Sequence, residues 1–142
     1  MSVLPVIEDE FVASGKARIE IQPISFLGEK SGIAAQGAEC ANDQGRFWDF
    51  HDMLYANQKP KGQSPFSRED LKRFAALLGL DTAAFGSCMD SEKYAAKVER
   101  DTAAAQARGV SSTPTIFVNG KKVEATADAL RAAIQAELAG TN

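Results

Sequence analysis

The chain has 142 residues, of which 44% are hydrophobic and 25% charged, and its formal net charge is −3. This length and composition fit one globular domain with a substantial core rather than a disordered or fibrous chain. No run of Lys or Arg stands out, so we expect no nucleic-acid partner and no binding to anionic membranes. No apolar stretch reaches the roughly 18 residues that span a bilayer, and the N-terminus lacks the features of a signal peptide.

The first part of the chain shows a helix pattern followed by a strand pattern. Apolar residues recur at helical spacing over residues 3–14, and Gly15 follows as a stop. Residues 17–25 (ARIEIQPIS) alternate apolar and polar side chains, which predicts a strand that ends near Pro23.

Helical patterns dominate from residue 31 onward. An Ala-rich segment predicts one helix, and the segment FWDFHDMLYANQ predicts a second. We expect the aromatic side chains of this second helix to lie in the core: Phe47, Trp48, Phe50 and Tyr55.

Capping residues mark the start of the next helices. Residues 67–70 (SRED) form a capping box for a third helix. Asp81 is suited to cap a short fourth helix that runs to Phe85. A long fifth helix is predicted from Ser91 to Arg108.

The segment GVSSTPTIFVNG, residues 109–120, predicts a loop followed by a hairpin. Residues 115–118 are β-branched and aromatic, and Asn119-Gly120 favours a type I′ turn because both central positions need positive φ. Thr126 caps a last helix. The predicted order is helix, strand, five helices, hairpin and helix, so a helical block at about residues 31–100 interrupts an α/β framework.

The remaining chemistry-bearing residues are few. Cys40 and Cys88 are the only cysteines, and their spacing fits neither a zinc pair nor a vicinal redox pair. His51 is the only histidine, and its Asp neighbours in sequence do not face it on a helix. We therefore expect no metal site, and in the absence of a phosphate loop or nucleotide fingerprint we expect no cofactor.

Five segments, in this order and spacing, resemble the DsbA-like branch of the thioredoxin superfamily. They are SGIAAQGAECA (31–41), QGRFWDFHDMLYANQ (44–58), LLGLDTAAF (77–85), CMDSEKY (88–94) and GVSSTPTIFVNG (109–120). The resemblance implies an α/β, thioredoxin-like fold with an inserted helical subdomain. Residues 1–30 and 101–142 would form the thioredoxin-like part, and residues 31–100 the inserted helical subdomain.

The same resemblance implies a thiol–disulfide oxidoreductase that acts on extended or unfolded polypeptides outside the cytoplasm, in the periplasm or cell envelope. Its reactive Cys-x-x-Cys would lie at the start of the first helix, just after the first central strand. Residues 3–14 correspond to the inside of that helix, so the strand and the Cys-x-x-Cys are missing and we expect an N-terminal truncation. With no catalytic residue left, we expect little or no dithiol exchange.

The resemblance also implies a substrate-binding surface near the active site, so a partner-contact role for one of the four aromatic residues of the second helix stays open beside their expected place in the core. Two further features follow from the resemblance. The Thr113–Pro114 bond would be cis, and Thr113 would present its backbone to an extended peptide; the local sequence alone fits equally well a proline that simply ends a loop. Cys40 and Cys88 would form a structural disulfide, as in some relatives, while two buried free thiols or a relocated redox pair are the alternatives.

The missing strand would lie between residues 17–25 and 115–118. We expect these two strands either to pair directly or to receive a strand from a neighbouring chain in a homodimer or domain swap. Two other functions remain open: a non-catalytic peptide-binding module, and a relative of the glutathione-using kappa-class transferases and isomerases.

Overall fold

The structure is a computed structural model that describes residues 3–25, 29–58, 60 and 66–140, with the backbone alone for residues 29–31. The chain divides into two compact units. One is formed by Met1–Ile21 together with Val110–Asn142, and the other by Gln22–Gly109. Each unit has its own cluster of buried apolar side chains.

The first unit combines two helical segments with one hairpin. Its first helix continues directly into a π-helical turn over Glu8–Val12. The hairpin turns at Asn119-Gly120, both with positive φ (47° and 82°), as the type I′ prediction requires. The elements are α1 (Val3–Ile7), β1 (Ile116–Val118), β2 (Lys121–Val123) and α7 (Ala127–Ala139). The two strands are antiparallel, with Val118 opposite Lys121.

The core of the first unit lies between α1, its π-helical turn, the hairpin and α7. Its buried side chains are Ile7, Phe11, Leu130 and Ile134. Half-buried side chains from the hairpin, among them Ile116 and Val123, pack against them.

A salt bridge adds to the contact between the π-helical turn and α7. Arg131 donates to both carboxylate oxygens of Glu10, with the shortest N–O distance 2.6 Å. This arrangement lowers the pKa of Glu10, mainly through the hydrogen bonds from Arg131.

The second unit is built from five helices, as predicted. They are α2 (Glu29–Asn42), α3 (Phe47–Ala56), α4 (Arg68–Leu77), α5 (Thr82–Asp90) and α6 (Ala95–Ala107). Phe50, Leu71 and Phe85 are among its fully buried side chains. Within the described ranges, no helix is both long and apolar enough to cross a membrane.

The predicted caps are confirmed, with one change of boundary. The Asp70 N–H donates to Ser67 Oγ (3.1 Å), and the Ser67 N–H donates to Asp70 Oδ2 (3.0 Å), which is the capping box of α4. The Ala84 N–H donates to Asp81 Oδ1 (3.0 Å), but α5 continues beyond Phe85 to Asp90. The next helix therefore begins at Ala95, after a turn, and the predicted start at Ser91 is wrong.

The predicted strand at residues 17–25 is wrong, and so is its direct pairing with residues 115–118. Residues 17–25 form no strand, and in the described part of the chain β1 pairs with β2 alone. The alternation of burial is nevertheless present: Ala17, Ile19 and Ile21 are half-buried, whereas Arg18 and Glu20 are exposed. Alternating burial needs only one apolar face, whereas a strand also needs a hydrogen-bonded neighbour.

We expected all four aromatic residues of α3 to lie in the core, and the structure places two of them there. Phe50 is fully buried and Phe47 packs against the core of the second unit. Trp48 and Tyr55 are 40% and 45% exposed, because they lie on the opposite face of the helix. These two rings therefore belong to the surface of the second unit.

Candidate functional site

The first candidate site is the loop of residues 110–115, which we call the Pro114 loop. Its Thr113–Pro114 peptide bond is cis. Val110 is buried at one end, and at the other end Thr115 Oγ1 donates a 2.6 Å hydrogen bond to the Ser112 carbonyl, just before β1. These contacts hold the segment between them, residues 111–114, as an exposed tip.

Thr113 presents backbone groups at this tip. Among the described residues, its N–H and C=O make no hydrogen bond to another backbone group. Exposed backbone donors and acceptors of this kind can pair with an extended peptide in the manner of an added strand. Thr113 and Pro114, adjacent in sequence, are thus both accessible to a ligand.

Cys40 and Cys88 form a disulfide in the second unit that links α2 to α5. Both residues are buried, with 1% and 8% of their surface exposed. Each lies in the last turn of its helix, where the helix dipole disfavours a thiolate. A catalytic thiol has the opposite setting, an accessible position at a helix N-terminus. The arrangement therefore fits a structural bridge.

The surroundings of Cys88 also disfavour a thiolate. The nearest carboxylate oxygen of Asp43 lies 4.0 Å from Cys88 Sγ. Lys93 donates to Asp43 at 2.7 Å, and the Tyr94 hydroxyl donates to the same carboxylate. These hydrogen bonds, first from Lys93 and then from Tyr94, lower the pKa of Asp43 and keep it ionised. A negative charge this close disfavours a second negative charge on the sulfur of Cys88.

His51 lies among aromatic rings and not in a cluster of ligands, although its Nδ1 lies 3.2 Å from Asp52 Oδ1, so the expectation that its Asp neighbours do not face it is wrong for Asp52. Its ring centroid is 4.7 Å from that of Tyr55 and 5.6 Å from that of Trp48. The described residues contain no group of three or more His, Cys, Asp or Glu side chains that could hold a metal ion. The rings of Trp48 and Tyr55 were expected in the core, with a partner-contact role for one aromatic residue of α3 left open, and the helical spacing that puts both on one exposed face is visible in the sequence.

A groove of about 410 Å³ lies between α2 and α6 in the second unit. Its lining includes Gly32, Val98 and Thr102. Thr102 Oγ1 accepts from the Ser25 N–H (3.0 Å) and donates to the Val98 carbonyl (2.7 Å). The hydroxyl therefore joins α6 to the segment that precedes α2.

Comparison with known proteins identifies the class. The family model described as Thioredoxin matches residues 2–136. The chain therefore belongs to the thioredoxin family, and within it the predicted DsbA-like thioredoxin fold is confirmed. The crystal structure of oxidised BdbD from Bacillus subtilis matches with a TM-score of 0.88 and 28% identity, and the match covers 97% of this chain and 77% of that one.

Two curated relatives differ in size from this chain. The probable disulfide bond formation protein D of Bacillus anthracis is 30% identical over an alignment of 142 positions, and the match covers 97% of this chain and 65% of the relative. The Na(+)/H(+) antiporter NhaA of Herminiimonas arsenicoxydans is 39% identical over an alignment of 111 positions, and the match covers 77% of this chain and 17% of the antiporter. The chain thus spans less than two thirds of either relative. None of these comparisons supports a homodimer or domain swap.

Proposed function

We propose that this chain is a DsbA-like thioredoxin-fold protein that binds extended or unfolded polypeptides at the Pro114 loop, with little or no dithiol exchange of its own. The observation that carries the binding is that Thr113 is an exposed residue whose backbone N–H and C=O have no backbone partner among the described residues. A bound peptide would add alongside it through main-chain hydrogen bonds. The name of the Bacillus relatives, disulfide bond formation protein D, supports polypeptides as the ligand class.

In this proposal the helical block at residues 31–100 is the inserted subdomain of a DsbA-like protein, and residues 1–30 and 101–142 are its thioredoxin-like part. The Pro114 loop belongs to the thioredoxin-like part. The inserted block carries the disulfide, so that peptide binding and the disulfide are assigned to different parts of the chain.

The low exchange activity follows from the two cysteines. Thiol–disulfide exchange requires a thiolate that reaches the partner sulfur, and a second thiol that resolves the mixed disulfide. The chain has no Cys-x-x-Cys, and Cys40 and Cys88 are buried, bonded to each other and placed at helix C-termini. They supply neither an accessible nor an activated thiolate.

Insulin reduction and oxidation of reduced RNase A test this part of the proposal. We expect the wild-type chain and the double variant Cys40→Ala/Cys88→Ala to give the same rates, equal to the uncatalysed background. A wild-type rate clearly above that of the double variant would show that the Cys40–Cys88 pair is catalytic and would overturn the proposal.

Peptide binding is tested with two variants at one position. Thr113→Pro removes the backbone N–H that would donate to the ligand, whereas Thr113→Ala keeps it. The ligand is reduced, carboxymethylated RNase A, an unfolded chain without free thiols, and binding is followed by calorimetry. We expect Thr113→Ala to bind like the wild type and Thr113→Pro to bind at least several-fold more weakly, with far-UV circular dichroism as the check on folding.

A short peptide ligand sharpens the test. Methylation of one backbone nitrogen at a time removes single main-chain donors from the peptide, and strand-like pairing predicts that alternate positions matter. Equal binding by all methylated peptides, or by both Thr113 variants, would contradict a backbone contact. Displacement of the peptide by reduced glutathione would instead favour the glutathione-using relatives.

We also propose an extracytoplasmic location. The support is the buried disulfide, since such bonds form and persist in oxidising compartments. Fractionation of the source cells, with thiol trapping before lysis, is the test. A cytoplasmic protein with both cysteines alkylated would contradict this assignment.

A further inference from the structure

One face of α3 presents two exposed aromatic rings with a carboxylate between them. Trp48 and Tyr55 are 40% and 45% exposed. Asp52 follows Trp48 by four residues and precedes Tyr55 by three, and side chains at these spacings are neighbours on a helix surface. We call Trp48, His51, Asp52 and Tyr55 the aromatic–acidic face.

The rings of this face support one another. The His51 ring centroid lies 5.6 Å from that of Trp48 and 4.7 Å from that of Tyr55. On its other side His51 stacks on Phe47, with the ring centroids 6.0 Å apart. Only 13% of the His51 side chain is exposed, so it acts as the centre of a platform whose two ends are the exposed rings.

The charge on this face comes from one carboxylate. The Asp52 side chain is 79% exposed, and its one polar contact among the described residues is with His51 Nδ1, at 3.2 Å. Asp49, three residues earlier, instead accepts a 2.5 Å hydrogen bond from Arg46 Nε and is held in a salt bridge. Asp52 is therefore the carboxylate of α3 that is open to a cationic ligand.

We propose that the aromatic–acidic face binds the guanidinium group of an arginine side chain in an extended or unfolded polypeptide. A guanidinium stacks on aromatic rings and donates two parallel hydrogen bonds to a carboxylate, so that Trp48 or Tyr55 and Asp52 offer both kinds of contact side by side. The net charge of −3 favours a basic partner and disfavours an acidic or phosphorylated one. The proposal uses α3 alone and does not depend on peptide binding at the Pro114 loop.

Binding at this site can be measured by the intrinsic fluorescence of the chain. Trp48 is its single tryptophan, so intrinsic fluorescence reports directly on the proposed contact. The ligand is the blocked peptide acetyl-Gly-Arg-Gly-amide, and the same peptide with citrulline in place of arginine is the neutral control of equal shape. We expect a saturable change in Trp48 emission with the arginine peptide, weakened by added salt, and a much smaller response to the citrulline peptide.

Two variants that each remove one negative charge distinguish binding at this site from general electrostatic attraction to the chain. Asp52→Asn removes the open carboxylate, and we expect affinity for the arginine peptide to fall by roughly two- to fivefold. Asp49→Asn removes the carboxylate that is paired with Arg46, and we expect less than a twofold change.

Three other results would overturn the inference. Equal losses in the two Asn variants would show general electrostatic attraction. Equal binding of the citrulline peptide would show a neutral occupant on the aromatic rings. A fluorescence response that does not saturate would show that this face holds no binding site for arginine.

Discussion

Removing the Cys40–Cys88 disulfide tests how much of the stability of the second unit comes from this one bond. The two cysteines are 48 residues apart in sequence. A bond that closes a loop of this length reduces the entropy of the unfolded chain by an amount equivalent to about 4 kcal/mol at 25 °C. Small proteins unfold with a total free energy of roughly 5–15 kcal/mol, so we expect the double variant Cys40→Ala/Cys88→Ala to lose a large fraction of its stability.

Urea denaturation of the wild type and the double variant measures this loss. Trp48, Cys40 and Cys88 all lie within residues 22–109, so tryptophan fluorescence follows the unit that contains the disulfide. With an m-value of about 2 kcal/mol/M, a loss of about 4 kcal/mol moves the urea midpoint down by about 2 M. The wild type that has been unfolded with a reductant and refolded in its presence is the matched control, and we expect its midpoint to fall in the same way.

Two results would refute this reasoning. A loss below about 1 kcal/mol in both the variant and the reduced wild type would mean that the unfolded chain is not constrained by the bond, for example because it stays compact when reduced. A large loss in the variant but none in the reduced wild type would trace the effect to the substituted side chains in the core and not to the bond.

Two further predictions concern packing and charge in the second unit. A Cβ at Gly37 would lie 3.2 Å from both Phe50 and Leu71, which are fully buried, so the overpacking should outweigh the gain in helix propensity and Gly37→Ala should cost up to about 2 kcal/mol in urea denaturation. A Cβ at the helical Gly86 would come no closer than 3.9 Å to a side chain, that of Lys72, so Gly86→Ala should stabilise by about 0.5–1 kcal/mol, and the same sign for both would contradict the packing argument. The hydrogen bond from Lys93 lowers the pKa of Asp43 below its ordinary value of 3.8, so its stabilisation is present above that value and is lost as the pH falls through the lower folded value. Asp43→Asn should therefore be less stable than the wild type near neutral pH, by at most about 1 kcal/mol, and equally stable in strong acid; a difference that does not change with pH would contradict this assignment.

The features that the sequence predicted best depend on residues within a few positions of each other. The Ser67–Asp70 capping box and the Asp81 cap each join side chain and backbone three residues apart. The Asn119-Gly120 turn depends on two residues that tolerate positive φ. Such features form wherever the local chain allows them, and they need no knowledge of the rest of the fold.

The prediction of a strand at residues 17–25 failed because a strand depends on its neighbour in the sheet, and the alternating pattern carries no information about that neighbour. Alternation predicts which side chains face inward, and the half-buried Ala17, Ile19 and Ile21 follow it. A strand also requires a neighbour with matching backbone groups, and β1 pairs only with β2 in the described part of the chain. Periodicity thus gave the correct burial, but it carried no information about pairing.

The division of the α3 aromatic residues into a buried and an exposed face could have been predicted from the sequence. The direction in which a side chain points from a helix follows from its residue number, at about 100° per residue. Phe47 and Leu54, which pack with the fully buried Phe50 in the core, point within about 60° of it. Trp48 and Tyr55 point about 160° and 140° away, on the side opposite the core. Treating the aromatic residues as one apolar group hid this division into two faces. Both rings keep 40% and 45% of their surface exposed on the face opposite the core, and this exposed aromatic surface is the reason to look for a ligand on that side of α3.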